Sequence, residues 1–273
     1  MSVVLFVVLL LLGAYVVAII EGWVTTGRLE PAGPLASGLA LVGRESIVPR
    51  QLDRTLFEMG PVLVLIAAVL AAAVLPLGPD SVVVNLATGA LFVNAAFAYV
   101  AVALVMAGWG PNGAYSMVAG WRFLGQVIAY GMLIIMPIAA VGMRAQSLSM
   151  VDIVHSQDPV WNIVTQPVGF VLFVLAAMAL AFLPPFDLPI ATELAGGVEG
   201  EYTGMRLAVF RLARFTLVLT LAGTISVFYL GGWLGAGLPA WLWSAVKTLA
   251  VAAALLLAGR SLARVREADM LAW

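Results

Sequence analysis

The sequence predicts an all-α integral membrane protein with about seven transmembrane helices, and two observations support this fold class. First, 63% of the 273 residues are hydrophobic and only 10% are charged, with a mean hydropathy of +1.10. Soluble domains are much more polar. Second, several apolar stretches reach the roughly 20 residues that cross a hydrocarbon core. We therefore expect a single polytopic membrane domain over residues 1–273, without a soluble basic domain that could bind nucleic acid.

The predicted spans follow one another along the chain. Each is an apolar stretch bounded by segments that contain charges, glycine or proline, and they lie near 2–20, 58–77, 82–107, 122–143, 166–184, 206–230 and 239–259. The first stretch has no basic segment before it and no small-residue cleavage site before Glu21. We therefore interpret it as a span and not as a signal peptide.

The arginines orient these spans, because basic residues concentrate on the cytoplasmic side of membrane proteins. With the N-terminus outside and the C-terminus in the cytoplasm, nearly all arginines fall in inner loops or at inner helix ends, and Arg144 is the exception. All eight tryptophans lie at predicted span ends or in loops, where amphipathic rings are favoured. The long loops are then cytoplasmic.

The absence of cysteine limits the chemistry of this chain. It excludes disulfides, thiolate metal sites and iron–sulfur ligation by the chain itself. The single histidine, His155, cannot form a metal cluster alone. We therefore expect neither a metal site nor a catalytic residue.

An acidic inner loop, residues 184–206, separates two apolar spans and contains Asp187, Glu193, Glu199 and Glu201. A carboxylate at the centre of a bilayer costs about 2.5–3.5 kcal/mol or more, so acids collect where water or a partner protein can reach them. Carboxylates crowded into a partly dry site raise one another's pKa, as a proton relay requires. A solvated acidic loop without such coupling is the alternative.

Polar residues also occur inside the predicted spans. Arg122, Gln126 and Tyr130 are spaced four residues apart and so lie on one helix face. They are candidates for a proton pathway, or else serve as a membrane anchor with helix-packing hydrogen bonds. Lys247 lies eight residues into the last span, where a lysine is a functional candidate by default, the alternative being a paired structural lysine.

The inner segment 21–57 and the C-terminal tail carry both signs of charge, which indicates a docking surface for cytoplasmic proteins. Residues 35–42 are apolar but too few to span the bilayer, so we expect them to lie along the interface. The candidate docking residues are Glu21, Arg28, Arg44, Glu45, Arg50, Asp53, Arg264 and Arg266.

Several motifs resemble the H-type (NADH dehydrogenase subunit 1-like) membrane subunit of respiratory complex I and its counterpart in energy-converting [NiFe] hydrogenases such as formate hydrogenlyase. "PFDLP", followed by "EL" and "EYTGMR", is similar to the characteristic loop of that family. "MAGWGPNGAYSMVAGWRFLGQVIAY" and "GLALVGRES" are similar to two further family segments. "ARVREADMLAW", at the C-terminus, resembles the hydrogenase branch more than complex I.

The resemblance implies a membrane-anchoring and energy-coupling subunit in the cytoplasmic membrane of a prokaryote. Redox chemistry is then expected in peripheral partners, namely hydrogenase-like large and small subunits and an iron–sulfur subunit that carry [NiFe] and iron–sulfur centres. Antiporter-like membrane subunits would move protons or sodium ions. The resemblance also adds Tyr202, of the "EYTGMR" motif, to the candidate proton and coupling pathway.

The chain departs from the family pattern at positions that bear on its function. Acids that the family usually carries are replaced by Ile190, Thr192 and Gly131, and residues 21–57 are less basic than in complex I. These departures speak against a quinone pocket and favour a hydrogenase-like complex. The alternatives are the quinone-site subunit of a short NADH-quinone oxidoreductase and a stand-alone secondary transporter, which should show inverted repeats.

Overall fold

The computed structural model describes residues 2–79, 81–190, 194–235 and 237–263, and within these ranges every regular element is a helix. Six helices there are long and apolar enough to cross a membrane. They are α1 (Val3–Thr26), α3 (Arg54–Val74), α4 (Gly89–Trp109), α5 (Ala114–Ala145), α10 (Gly204–Tyr229) and α11 (Ala240–Ser261). The shorter helices are α2 (Gly33–Val42), α6 (Met150–His155), α7 (Asn162–Thr165), α8 (Pro167–Leu180) and α9 (Gly197–Gly200). The prediction of an all-α membrane protein is confirmed.

The predicted span at 166–184 is helical only as far as Leu180, so α8 has 14 residues and is too short to cross the bilayer as a helix. Phe182 adopts a left-handed backbone with φ of 55°. Pro184 and Pro185 lack backbone donors and disfavour helix in the residues before them. The chain therefore continues from α8 as irregular but buried backbone.

Two other boundaries differ from the predicted ones. The outer connection between α3 and α4 extends through Thr88, because the helix predicted to begin at 82 starts only at Gly89. The sequence predicts an inner loop over residues 109–121, yet α5 already begins at Ala114. The turn is confined to the residues around Asn112, whose φ is 56°, and Gly113, whose backbone is extended.

The centre of the bundle is α10, which packs against α1, α2, α3 and α11. In its most apolar 18-residue window, 78% of the residues are buried. The buried hydroxyls of Thr216, Thr220 and Thr224 each donate to the carbonyl four residues earlier, at 2.8 Å. The hydrogen-bonding capacity of these three threonines is thereby satisfied within the helix, which agrees with a role in helix packing.

Close backbone contact joins α3 to α4 at the inner end of the bundle. A Cβ atom on Gly60 would lie 2.7 Å from the Cβ of Ala107 and 2.8 Å from its Cα. Small residues allow membrane helices to approach in this way and gain packing energy. This contact brings the inner ends of α3 and α4 together beside the acidic loop.

Candidate functional site at the inner side

The acidic loop folds against the inner ends of α3, α4 and α5, and its first half is buried. Phe186, Asp187 and Leu188 expose only 6–7% of their surface. A 3-10 turn, Leu188–Ile190, and the single turn of α9 lead towards α10. The burial of Asp187 does not fit a loop that is solvated throughout.

Helix α5 holds the start of this loop through two of the predicted side chains. Gln126 donates from Nε2 to the carbonyl oxygens of Ala179, at 2.7 Å, and Phe186, at 3.1 Å. The ring of Tyr130 packs against the ring of Phe186, with 5.1 Å between centroids. Arg122 lies on the same helix, half-buried, one turn closer to the inner side. The predicted common face is therefore present, and it positions the loop.

Tyr202 anchors the other end of the loop. Its hydroxyl lies 3.1 Å from the carbonyl oxygens of both Phe57 and Ala107 and donates its hydrogen bond to them. Its ring stacks on Phe57, with centroids 4.5 Å apart, and on Phe210, at 5.8 Å. Burial raises the pKa of the Tyr202 hydroxyl. The buried hydroxyl and ring of Tyr202 thus hold the inner ends of α3 and α4 together, and its role in a proton pathway stays a prediction.

The turn after Tyr202 connects the acidic loop to the inner segment before α3. The backbone N–H of Ile47 donates to the hydroxyl oxygen of Thr203 at 2.8 Å. Gly204 has a φ of 59°, and a Cβ there would lie 2.8 Å from the carbonyl oxygen of Arg44. Only glycine fits this left-handed position without strain and without a clash. The "YTG" sequence is thus explained by local geometry.

The described carboxylates of the loop have different neighbours. Glu199 forms an ion pair with Arg211 at 2.9 Å. The Oε1 atom of Glu201 lies beside Gly113, since a Cβ on that glycine would be 2.7 Å away. This places Glu201 at the N-terminus of α5, where the helix dipole favours a negative charge. Glu193 lies outside the described residues.

The acids of the described residues do not gather into a cluster that could hold a metal ion. Arginine and a helix terminus take up the charges of Glu199 and Glu201 separately. Coupling among the carboxylates of the whole loop, which includes Glu193, stays a prediction.

A cavity of about 790 Å³ lies between α1, α2 and α10, next to the acidic loop. Most of its lining is apolar, for example Leu11, Leu41 and Phe215. Its polar residues include Arg211 and Arg214, which pair with Glu199 and Glu21 at 2.9 Å each. The arrangement can accept a long apolar molecule with a polar end.

A second cavity, of about 150 Å³, lies between α4, α5 and α8. Asn94, Gln126 and Tyr130 contribute its polar lining, and the Oε1 atom of Gln126 has no hydrogen-bond partner. Gly131 also faces it, and a Cβ there would meet nothing within 4 Å. The cavity thus includes the position at which the family usually carries an acid.

The candidate docking residues divide into two groups. Arg28, Arg44, Glu45 and Arg50 are exposed at the inner side, as docking requires. Glu21 is engaged within the bundle by Arg214, and Asp53 caps α3 by accepting from the N–H groups of Thr55 and Leu56. These two residues therefore stabilise the fold of this chain. Arg264 and Arg266 lie outside the described residues.

Lys247 does not take part in the inner-side site. Its Nζ atom donates to the carbonyl oxygens of Leu230, at 2.7 Å, and Leu234, at 2.6 Å. Both carbonyls follow the outer end of α10. The long side chain reaches back from mid-helix to the outer connection, which the sequence position alone did not show.

Comparison with known proteins agrees with this architecture. The model of the NADH dehydrogenase family matches residues 2–273. The chain belongs to the NADH dehydrogenase family. A relative in this family, the second H-type subunit of NADH-quinone oxidoreductase in Syntrophobacter fumaroxidans (strain DSM 10017 / MPOB), is 36% identical over 256 residues. The match covers 90% of this chain and 77% of the relative. The predicted resemblance to complex I subunits of the H type is confirmed.

In this member of the NADH dehydrogenase family, the sequence alone does not show that Arg211 and Arg214 pair with acids beside the cavity. From the sequence alone, both are interpreted as residues that extend to the inner surface. A signal was available, because two arginines three residues apart in an apolar span each need a compensating acid. Glu199 lies 12 residues before Arg211, but Glu21 lies 193 residues before Arg214, and pairing over that separation is not visible in a sequence pattern.

Proposed function

We propose that this chain is the membrane subunit of a complex I-like NADH-quinone oxidoreductase in which a quinone with an apolar tail enters between α1, α2 and α10. The cavity next to the acidic loop carries this proposal. Its volume of about 790 Å³ is that of a small-molecule site, and such sites combine an apolar lining with a few polar groups. The name of the relative from Syntrophobacter fumaroxidans supports the same substrate class.

The residues of the cavity fit such a molecule. An apolar tail can lie along Leu11, Leu41 and Phe215. A quinone ring offers two carbonyl acceptors, and the guanidinium of Arg211, which is 45% exposed, can donate to one of them. The few basic residues in 21–57 speak against a quinone site, and the proposal differs because α10 supplies two further arginines, Arg211 and Arg214, to the cavity beside Arg28.

A hydrogenase-like complex is the interpretation that the sequence favours, and the quinone-linked alternative has the better support. The hydrogenase resemblance rests on residues 263–273, and all of these except Ala263 lie outside the described residues. The relative is a quinone-linked subunit by name. Peripheral redox subunits and antiporter-like membrane subunits, in the cytoplasmic membrane of a prokaryote, remain part of the proposal. Coupling of electron transfer to proton or sodium translocation belongs to it as well.

An Ala208→Phe substitution tests the site, because Ala208 lines the cavity on α10 and a phenyl ring would fill part of it. In the assembled complex we expect the KM for a long-tailed quinone to rise at least about fivefold, from the cost of overpacking. Reduction of a soluble dye should be unchanged. Ala95→Phe, at an exposed position on α4, is the matched control.

Photo-crosslinking with an azidoquinone checks the location directly. Labelling of residues 11–42 and 205–215 would support the proposal. An unchanged KM in Ala208→Phe, together with labelling only outside these segments, would overturn it.

A further inference from the structure

The outer ends of α5 and α8 are joined by a cation that is bound to uncharged groups. Arg144, near the end of α5, donates to the side chain of Asn162, to the Thr165 hydroxyl at 2.8 Å and to the Val160 carbonyl oxygen at 2.9 Å. All three acceptors belong to the connection before α8. The guanidinium therefore fixes this connection without an acidic partner there.

A second cation occupies the outer end of α10 and α11. The ammonium group of Lys247 donates to the carbonyl oxygens of Leu230 and Leu234. It also lies 4.5 Å from the centroid of the Trp161 ring and 5.6 Å from that of Trp243. Carbonyl oxygens accept hydrogen bonds from an ammonium group, and ring faces attract a cation. Lys247 is only 8% exposed, so its charge is held inside the protein.

Two buried amides close the space between these cations. Gln157 donates to the Val227 carbonyl oxygen at 2.8 Å and accepts from the N–H of Gly231 at 3.0 Å. Asn162 donates to the Phe228 carbonyl oxygen at 2.6 Å. These amides thus bond the backbone groups of Val227, Phe228 and Gly231 at the outer end of α10.

The two cations have no carboxylate partner in the part of the chain that the structure describes. The acids of the outer connection have other neighbours, since Asp152 accepts from Ser147 at 2.7 Å and Asp158 lies 3.9 Å from His155. Arg144 and Lys247 are therefore each held by neutral groups, whereas the arginines around the inner cavity are paired with acids.

Polar groups continue from this layer into the bundle. Buried side-chain atoms of Gln166, Ser226 and Tyr229 have no hydrogen-bond partner among the described residues. Such groups can bind water, and water between them would offer protons a route across the outer half of the bundle. A subunit in an energised membrane needs a barrier at this point.

We propose that Arg144 and Lys247 form an electrostatic seal that keeps protons and other cations from crossing this subunit at its outer end. Fixed positive charge excludes cations and protons from membrane pores by the same physics. The seal directs any translocated ion into neighbouring membrane subunits, and it goes beyond the proposed function because it does not depend on which substrate enters the inner cavity.

The test uses the assembled complex in sealed vesicles, without substrate, under an imposed pH gradient and with valinomycin and potassium to cancel the membrane potential. Lys247→Gln keeps a hydrogen-bond donor but removes the charge, whereas Lys247→Arg keeps the charge. We expect Lys247→Gln to raise the rate of passive proton entry roughly tenfold. At an effective dielectric constant near 20, a unit charge about 10 Å from a crossing proton changes the free-energy barrier enough to alter the rate of entry by about this factor. Lys247→Arg should remain proton-tight.

Urea entry, measured on the same vesicles, distinguishes lost charge from a physical gap. A loss of charge alone should leave the urea rate unchanged. Arg144→Gln provides an independent variant, and it decides the question if Lys247→Gln does not assemble. Proton-tight vesicles with an assembled neutral variant would overturn the proposal, and so would a parallel rise in proton and urea entry.

Discussion

Among single residues, Tyr202 shows how a recognisable motif can serve position more than chemistry. Its place in "EYTGMR" makes it a candidate for the proton pathway. The hydroxyl instead bonds the inner ends of α3 and α4, and the ring lies between Phe57 and Phe210. Side-chain direction and burial decide between the two roles, and neither can be read from the order of residues.

Tyr202→Phe should destabilise the protein by about 1–3 kcal/mol, because buried carbonyl oxygens lose their donor while the ring contacts remain. The raised pKa means that the folded protein holds this proton more tightly than the unfolded chain does. The stabilisation is therefore complete below the ordinary pKa of about 10 and is lost only above it. The free energy of unfolding, measured between about pH 6 and 9, should differ from wild type by a constant amount. Tyr115→Phe, at an exposed position, should have no effect.

Glu193→Gln and Glu201→Gln test whether the acidic loop relays protons. Glutamine keeps the size and hydrogen-bonding capacity of glutamate but cannot titrate, so docking should survive while proton exchange does not. We expect ion uptake per redox turnover to fall in sealed vesicles while dye-linked activity stays near wild type. Normal uptake per turnover in both variants would show that the loop is only a docking surface.

At the scale of elements, the apolar pattern predicts where helices lie better than where they end. The long helices follow the predicted spans, because burial in lipid forces the backbone to bond within each segment. Helix α8 stops early because of the prolines that follow it, and the irregular backbone after Leu180 is tolerated since protein buries it, above all α5. The cavity between α1, α2 and α10 was not predictable either, because three segments far apart in sequence form it.

Gln126→Leu should loosen the end of α8, because leucine has a similar size but cannot bond the Ala179 and Phe186 carbonyl oxygens. The Ala179 carbonyl oxygen also accepts from the N–H of Phe182, so the Phe186 carbonyl oxygen is the acceptor that loses its donor, which should cost about 1–3 kcal/mol. Amide hydrogen exchange should become faster in residues 181–190 than elsewhere in the chain. The control is Ile128→Leu at an exposed position of α5. Unchanged exchange in 181–190 would show that Gln126 does not hold this segment.

For the whole molecule, the helices differ widely in burial, and lipid or neighbouring subunits cover the faces that the bundle leaves open. Only 22% of the most apolar window is buried in α1 and in α5, against 78% in α10. The exposed inner-side charges and the family membership indicate a part of a larger assembly. A stand-alone transporter would instead need its ion path within this single bundle.

The chain expressed alone should therefore be unstable or inactive, because inner loops and lateral helix faces lack their partners. Size-exclusion chromatography after mild detergent extraction can compare it with the chain co-expressed with neighbouring subunits. We expect aggregation or low yield for the chain alone and a larger, monodisperse species with partners. A monodisperse solitary chain that moves ions in liposomes would contradict this and favour the transporter alternative.

The contacts of α1 have a consequence for the order of events during synthesis. Glu21 pairs with Arg214, 193 residues later, and the carbonyl oxygen of Val24 accepts from Arg260, 236 residues later. At roughly 5–20 residues per second, the ribosome needs about 10–40 s to reach Arg214. Throughout that interval α1 must remain in lipid without α10 and α11, with which it makes most of its contacts. The residues from Val3 to Ile20 carry no charge, so α1 is stable in lipid during this interval. Release of the nascent chain before α10 is made would leave α1 without the helix against which it packs.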